Sequence, residues 1–367
     1  YHNNNNNHHQ QLHFFIGGLG YCGARLAARL RQEFPLSEIS GCVRSPDSQR
    51  IKQTALNDIQ CRVHVLDLDQ NYVGLDADGE RDLSRATHII QTIAPLADFD
   101  RDPLLALHRN VLQGSSHLHW VGYLSSTGVY GDHQGEWVDE DSSPLKCQDA
   151  KSLARVQAEQ EWRTLEKQPE LICVDCFRCG GIYGPGRGPL FSPASGNSRS
   201  RSDNPDDDAI IDNDPPKYVN RILVDDICAA LVAVIRTTLP EEATRENGDS
   251  RPAVKRGLGS VYNLVDDDPA PRRTVVKHVQ QILLQPSSDN QQQESNNGPE
   301  EGAGGETPTK APTRSKRRPT SRNTGNKRCR NEKFKRDFPE WELLRIAPTY
   351  REGLMYLYKQ QQEQQLQ

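Results

Sequence analysis

Four glycines, Gly17, Gly18, Gly20 and Gly23, follow directly on the apolar run Phe14-Phe15-Ile16. Glycines so placed let a chain turn sharply and bring its backbone against an anion, where any Cβ would collide. In the residues that follow, Leu26, Ala27 and Leu30 share one helical face, with Arg25, Arg29 and Arg31 around it. Strand, glycine turn and helix in that order put a pyrophosphate on a helix N-terminus. Gly17, Gly18, Leu19, Gly20, Tyr21, Cys22 and Gly23 are then the backbone that holds it, and the chemistry indicated is dinucleotide binding. A plain structural turn is the alternative.

The next strand, Ile39-Ser40-Gly41-Cys42-Val43-Arg44, bears on which dinucleotide. A site for NAD usually places an Asp or Glu at this strand's end, roughly 20 residues after the glycines, to bond the ribose 2′-hydroxyl. This chain has Arg44-Ser45 there, with Arg50 about a turn later. A guanidinium pairs with a 2′-phosphate and cannot accept from a hydroxyl. NADP is therefore expected, with NAD possible; a solvated arginine at a strand end is the competing account.

The elements that must position these groups alternate. Strands are expected at 12–16, 39–44, 62–66, 87–93, 118–124 and 171–177, and helices at 21–33, 103–113 and 150–167. That order predicts an α/β, Rossmann-type doubly wound parallel sheet with a smaller C-terminal substrate lobe. Arg221-Ile222-Leu223-Val224 leads into a helix over 225–239, and Val261-Tyr262-Asn263-Leu264-Val265 precedes one over 272–284; both are assigned mostly to the smaller region. Cys173, Cys176 and Cys179 have a spacing that resembles part of an iron–sulfur run. On a strand, residues three apart point to opposite faces, so they are read as core residues and no metal site is expected.

Three stretches fall outside this pattern. Residues 1–11 are an Asn/His-rich arm expected to be disordered, and 196–216 is Ser/Arg-rich and then acidic. A polar tract over 285–326, turning basic at Lys316-Arg317-Arg318, is read as a disordered insertion that cannot bury enough apolar surface to order itself. The organisation expected is a Rossmann domain over 12–284, with substrate-lobe elements from about 178, and a last segment, 327–367, completing that lobe. With 45 Lys+Arg against 50 Asp+Glu the chain has no bias toward nucleic acid, and no apolar run approaches a bilayer's width. Nine cysteines, an odd number, fit reduced thiols inside a cell better than a disulfide framework. The expected location is intracellular and cytoplasmic by default, with an organellar address left open by a chain that begins at Tyr1.

Further motifs recur in order: Leu124-Ser125-Ser126-Thr127-Gly128-Val129-Tyr130-Gly131, Phe177-Arg178-Cys179-Gly180-Gly181-Ile182-Tyr183-Gly184-Pro185-Gly186-Arg187, and Asn220-Arg221-Ile222-Leu223-Val224-Asp225-Asp226. Tyr262-Asn263-Leu264-Val265-Asp266-Asp267 and Tyr350-Arg351-Glu352-Gly353-Leu354 complete the set. With the glycine turn, this series resembles the extended short-chain dehydrogenase/reductases, specifically the NAD(P)-dependent epimerase/dehydratase family, and within it the atypical YeeZ-like branch. The resemblance covers 12–284 and resumes near 327.

The resemblance implies a nicotinamide in the Rossmann domain and a small-molecule substrate, anionic or sugar-like and often a nucleotide sugar, in the second lobe. It implies catalysis by a Ser or Thr after the fifth strand, here Ser126 or Thr127, together with a Tyr-x-x-x-Lys pair. That pair is missing: counting back from Glu159, its positions hold Lys151 and Arg155. Lys151 would act as an acid/base only with a lowered pKa, whereas Arg155 would supply charge and a ribose contact. Otherwise Lys151, Arg155 and Glu159 form surface salt bridges on one helix face. Asp67 takes the adenine-contacting position, and Thr92, Ala94 and Pro95 line the ribose side. Tyr130, Arg178, Tyr183, Arg187, Asn220 and Arg221 would face substrate, unless the arginines pair with Asp225 and Asp226. Dimerisation through a helix pair flanking the sheet is a further implication. Three functions follow: an oxidoreductase or epimerase/dehydratase, a cofactor-binding pseudoenzyme acting as sensor or scaffold, or an interaction protein using its basic insertion.

Overall fold

The computed structural model describes residues 11–68, 73–96, 101–141, 143–167, 172–191, 216–239, 259–284 and 325–365. The first part alternates strand and helix: β1 (His13–Gly17), α1 (Tyr21–Glu33), β2 (Glu38–Val43), α2 (Pro46–Ala55), β3 (Cys61–Val65) and α3 (Ala77–Arg85). It continues with β4 (His88–Gln91), α4 (Pro103–Gln113), β5 (Trp120–Ser126), the short β6 (Trp137–Val138), α5 (Ala150–Arg163) and β7 (Cys173–Cys179). Next come β8 (Gly181–Tyr183), β9 (Tyr218–Val219), β10 (Arg221–Leu223), α6 (Val224–Thr238), β11 (Val261–Leu264), β12 (Ala270–Pro271) and α7 (Arg272–Leu283). β13 (Arg328–Cys329), α8 (Glu332–Asp337), α9 (Trp341–Leu344) and α10 (Tyr350–Gln365) follow.

Seven strands form one sheet in the order β11-β7-β5-β4-β1-β2-β3, every neighbouring pair parallel. The chain builds outward from β1 through β2 and β3, then returns to β4 and builds the other way. The reversal between β1 and β4 opens a crevice at their C-terminal ends, where open α/β sheets bind ligands. Parallel strands are covered on both faces and so read as continuous apolar runs. In β1, Phe14 and Ile16 enter a core with Leu26 and Leu30 of α1 and Leu231 and Ile235 of α6, while Phe15 enters another with Leu105 of α4 and Trp162 of α5. The fold is therefore the doubly wound Rossmann type expected. Along β7, Cys176 packs into the second core and Cys179 into the first, as strand alternation requires.

A smaller lobe forms around Tyr183, Leu223, Val275, Val279, Tyr350 and Leu354, drawn from β8, β10, α7 and α10. Two assignments to this lobe need correction. Val261–Leu264 pairs with β7 as the edge strand of the main sheet, and α6 lies against the main core. Phe334, Phe338 and Trp341, at helical spacing, also join the main core, where the Phe334 ring meets those of Tyr262 (5.5 Å) and Phe177 (6.3 Å). Of the described residues after 324, those from Ala347 onward pack in the small lobe.

The arm over 1–10, most of the 196–216 loop and residues 285–324 lie outside the described residues. Gly325 and Asn326, placed in the insertion by their polarity, belong to the fold: the Asn326 side-chain carbonyl accepts from Tyr218 N at 2.8 Å and its backbone carbonyl from His133 N at 2.9 Å. Among the described residues no helix is long and apolar enough to cross a membrane.

Candidate functional site

The glycine turn closes β1 at the switch point. Gly18 has φ +96°, and a Cβ there would stand 2.8 Å from both Thr92 Oγ1 and an Ile93 side-chain carbon. A Cβ on Gly23 would stand 2.0 Å from the Gly18 carbonyl oxygen, so the first turn of α1 can press on the loop only without a side chain. Gly20 differs: beyond its chain neighbours, no atom of the described residues lies within 4 Å of where its Cβ would be. Leu19, buried, ties the loop to β2 through its N–H to Cys42 O at 2.7 Å.

This open side is also where α1 lacks a cap. α2, α3, α4 and α5 each begin on a side-chain acceptor, Ser45, Asp76, Asp102 and Asp149, whereas α1 begins on Gly20 with no side-chain cap and no acidic residue in its first turn. Uncapped N–H groups and the positive end of the helix dipole together favour an anion. Thr92 supports the turn from below, its hydroxyl donating to Gly18 O at 2.7 Å, and so is turned to the loop more than toward a ribose. Ala94 is exposed and Pro95 half-buried just beyond β4. Under Gly17 the Gln91 amide donates to both oxygens of Asp102 at 2.8 Å, and burial pushes that carboxyl up to about 6.

Arg44 is exposed at the end of β2. Ser45 caps α2, its oxygen accepting from Ser48 N at 3.3 Å. Leu68 N donates to Arg44 O at 3.3 Å, which brings half-buried Asp67 alongside. Arg44, Ser45 and Asp67 thus converge where adjacent strands end, while Arg50 is turned to Asp47 at 3.3 Å on the surface.

At the end of β5, half-buried Ser126 accepts from Gly128 N at 3.1 Å and starts a turn of 3-10 helix over Thr127–Tyr130, with Thr127 itself buried. Arg155 reaches this edge from α5, its Nη1 donating to Leu124 O at 3.1 Å. Lys151 stays in solvent. Ser152, which sequence reasoning passed over, is buried against the same turn: a Cβ on Gly128 would stand 3.0 Å from its Oγ.

The reading of Glu159 as part of a surface salt-bridge face is overturned. It is 5% exposed and accepts from Ser125 Oγ at 2.5 Å and from Arg178 Nη2 and Nε at 2.9 and 3.2 Å. Arg178 therefore does not face open space; it lies buried against the Tyr130 ring, 4.9 Å from its centroid. Tyr130 is buried too, its hydroxyl donating to Asn263 Oδ1 at 3.0 Å and held above the ordinary phenol range by burial. Tyr183 packs its hydroxyl against Gly353, where a Cβ would stand 2.0 Å away. Asn220 clasps β13, accepting from Cys329 N at 2.7 Å and donating to Lys327 O at 3.2 Å. Arg221 donates to Val219 O and Ala270 O at 2.9 Å. Buried polar groups need partners, and Tyr130, Arg178, Asn220 and Arg221 have found theirs within the fold, whereas the buried Tyr183 hydroxyl has no hydrogen-bond partner among the described residues. Of the six expected to face substrate, Arg187 alone is exposed. The rival pairing with Asp225 and Asp226 does not form either: Asp225 binds Arg25, and Asp226 accepts from Ile346 N at 2.5 Å and Ala347 N at 3.1 Å. Among the described residues no group of His, Cys, Asp or Glu is placed to hold a metal ion.

The fold is one that nucleotide-sugar epimerases and dehydratases also adopt. A functionally unknown conserved protein from Silicibacter pomeroyi DSS is similar at 27% identity and TM-score 0.62, with 96% of this chain and 99% of that one covered. dTDP-glucose 4,6-dehydratase from Bacillus anthracis str. Ames, solved with NAD, is 14% identical with TM-score 0.56, covering 96% of this chain and 97% of that one. UDP-glucuronic acid 4-epimerase from Bacillus cereus, also with NAD, is 13% identical with TM-score 0.57, covering 95% and 96%. No family model matches the chain, and no curated protein matches it. Nothing among these similar structures singles out the YeeZ-like branch.

Proposed function

We propose that this chain is an NAD(P)-dependent enzyme of the epimerase/dehydratase type, acting on a sugar-like, anionic substrate such as a nucleotide sugar, with NADP its preferred cofactor. The observation that carries the reading is the glycine turn at the switch point, open over Gly20 and uncapped at α1 while its other glycines are pressed against backbone or side chains. The turn fits a dinucleotide: the α1 amides would hold the diphosphate, and Arg44 and Ser45, at the N-terminus of α2, a 2′-phosphate. When bound, the nicotinamide would supply a hydride acceptor or donor. Ser126 accepts its bond from Gly128 N, which leaves the hydroxyl proton to donate to a substrate carbonyl oxygen. Arg155, at the same strand edge, would add positive charge. The similar dehydratase and epimerase, both solved with NAD, support the same reading.

A second reading, a cofactor-binding pseudoenzyme, is favoured by one observation: the usual tyrosine position holds exposed Lys151, and the nearby phenols Tyr130 and Tyr183 are buried. Calorimetric titration with NADPH, NADP, NADH and NAD tests the common part. NADPH is expected to bind tightest, and Arg44→Glu to weaken it; no binding by any nicotinamide sinks both readings. Turnover separates them, because Ser126→Ala abolishes it in an enzyme and changes nothing in a sensor. The basic tract behind the third reading, an interaction protein, lies outside the described residues.

A further inference from the structure

The turn after β8 carries a cation to the mouth of the glycine loop. Gly184 and Arg187 exchange backbone hydrogen bonds, each N–H donating to the other's carbonyl at 3.0 Å, with Pro185 and Gly186 at the corner. Proline supplies the fixed φ of the first corner position, and Gly186, at φ +69°, the left-handed second one. Tyr21 holds this turn in place: its hydroxyl donates to Pro185 O at 3.2 Å, and the Arg187 guanidinium lies over its ring, 5.1 Å from the centroid. A Cβ on Gly184 would stand 2.5 Å from that hydroxyl, so the fit is close. Stacking fixes the guanidinium plane while leaving its N–H edge to meet an anion.

Tyr21 is the first residue of α1, so Arg187, stacked on its ring, stands beside the uncapped helix start. It also bears on the thiol of Cys22, where its charge opposes the upward push of burial. Arg25, one turn along α1, is neutralised by Asp225, whereas Arg187 has no carboxylate partner among the described residues. An oriented cation with no carboxylate partner among the described residues, beside a helix start with no side-chain cap, is matched to the two negative charges of a diphosphate.

We infer that Arg187 binds the diphosphate of the dinucleotide, so that the turn leading into the small lobe completes the cofactor site and Arg187 is not a substrate residue. The inference rests on the dinucleotide reading above. The test is calorimetric titration of wild type, Arg187→Ala and Arg187→Lys with NADPH, beside NMR titration with adenosine 2′-monophosphate, which carries the adenine and 2′-phosphate but no diphosphate. Arg187→Ala is expected to weaken NADPH about tenfold to a hundredfold, the weight of one charge-assisted hydrogen bond, and Arg187→Lys by less. Adenosine 2′-monophosphate should bind all three alike. Unchanged NADPH affinity in Arg187→Ala overturns the inference and leaves the dinucleotide reading standing. Equal weakening of both ligands also overturns it, since a diphosphate contact cannot affect a ligand without one. Wild-type protein that binds no nicotinamide dinucleotide removes the reading and the inference together.

Discussion

Gly20 and Gly23 are both glycines of one turn, but a methyl group at each should act in opposite ways. At Gly20 φ is −75°, outside the left-handed region, and beyond the chain neighbours no atom of the described residues lies within 4 Å of the new carbon. The cost to the fold is then mainly the weaker N-cap preference of alanine, up to about 1 kcal/mol. The same carbon fills the space beside the α1 amides. Displacing a phosphate from two such donors, each charge-assisted bond being worth about 1.5–3 kcal/mol, corresponds to a loss of about 3–6 kcal/mol, or roughly two to four decades in Kd. At Gly23 the new carbon would sit 2.0 Å from the Gly18 carbonyl oxygen, far inside ordinary contact. Helix and loop must part, at a cost of about 1–3 kcal/mol or more before any ligand is considered. Calorimetric melting of Gly20→Ala should therefore fall within about 4 °C of wild type, with Gly23→Ala lower, the scale for a large domain being about 2–4 °C per kcal/mol. NADPH titration should show Gly20→Ala nearly unable to bind. A Gly20→Ala protein that binds NADPH like wild type would refute the placement of the diphosphate on α1.

Two other substitutions probe the buried network and the lobe contact. Glu159→Gln strands the Arg178 guanidinium, whose side chain is 6% exposed, without its carboxylate; chemical unfolding should show a loss of about 3–5 kcal/mol, and a loss below about 1 kcal/mol would mean the pair is not the buried one described. Asp226 is pushed up from 3.8 to about 7 by burial, so the folded protein holds its proton more tightly than the unfolded chain does. The stability this lends is complete below pH 3.8 and is lost as pH rises toward about 7. Asp226→Asn removes the titration and adds a constant penalty, because an amide oxygen leaves one of the Ile346 and Ala347 N–H donors poorly met. The stability gap between wild type and variant should thus narrow by about 1.4 kcal/mol per pH unit from pH 4.5 to 6.5. A gap that stays constant across urea melts at these pH values would show that Asp226 does not titrate there.

The glycine turn was legible in the sequence because it is local: strand, turn and helix are contiguous, and the positive φ at Gly18 and the contact of Gly23 with the Gly18 carbonyl, five residues back, both disfavour side chains. The same holds for the α/β alternation and for Ser126 at a strand end. Tertiary structure decided which polar residues are spent inside the fold. Arg178 and Glu159 lie on β7 and α5, and only the stacking of that helix on the sheet makes them a buried pair, leaving Arg155 at the sheet edge and Lys151 in water. Phe334 and Trp341 reach the main core across the 285–324 tract, a connection that composition conceals. The Pro185-Gly186 corner could have been read from its residue types, but not its landing place on Tyr21, 164 positions away in the chain. Local backbone demands are written in short spans of sequence. The partner of a buried charge is set by packing, which brings distant residues together and compels each polar group to find a bond.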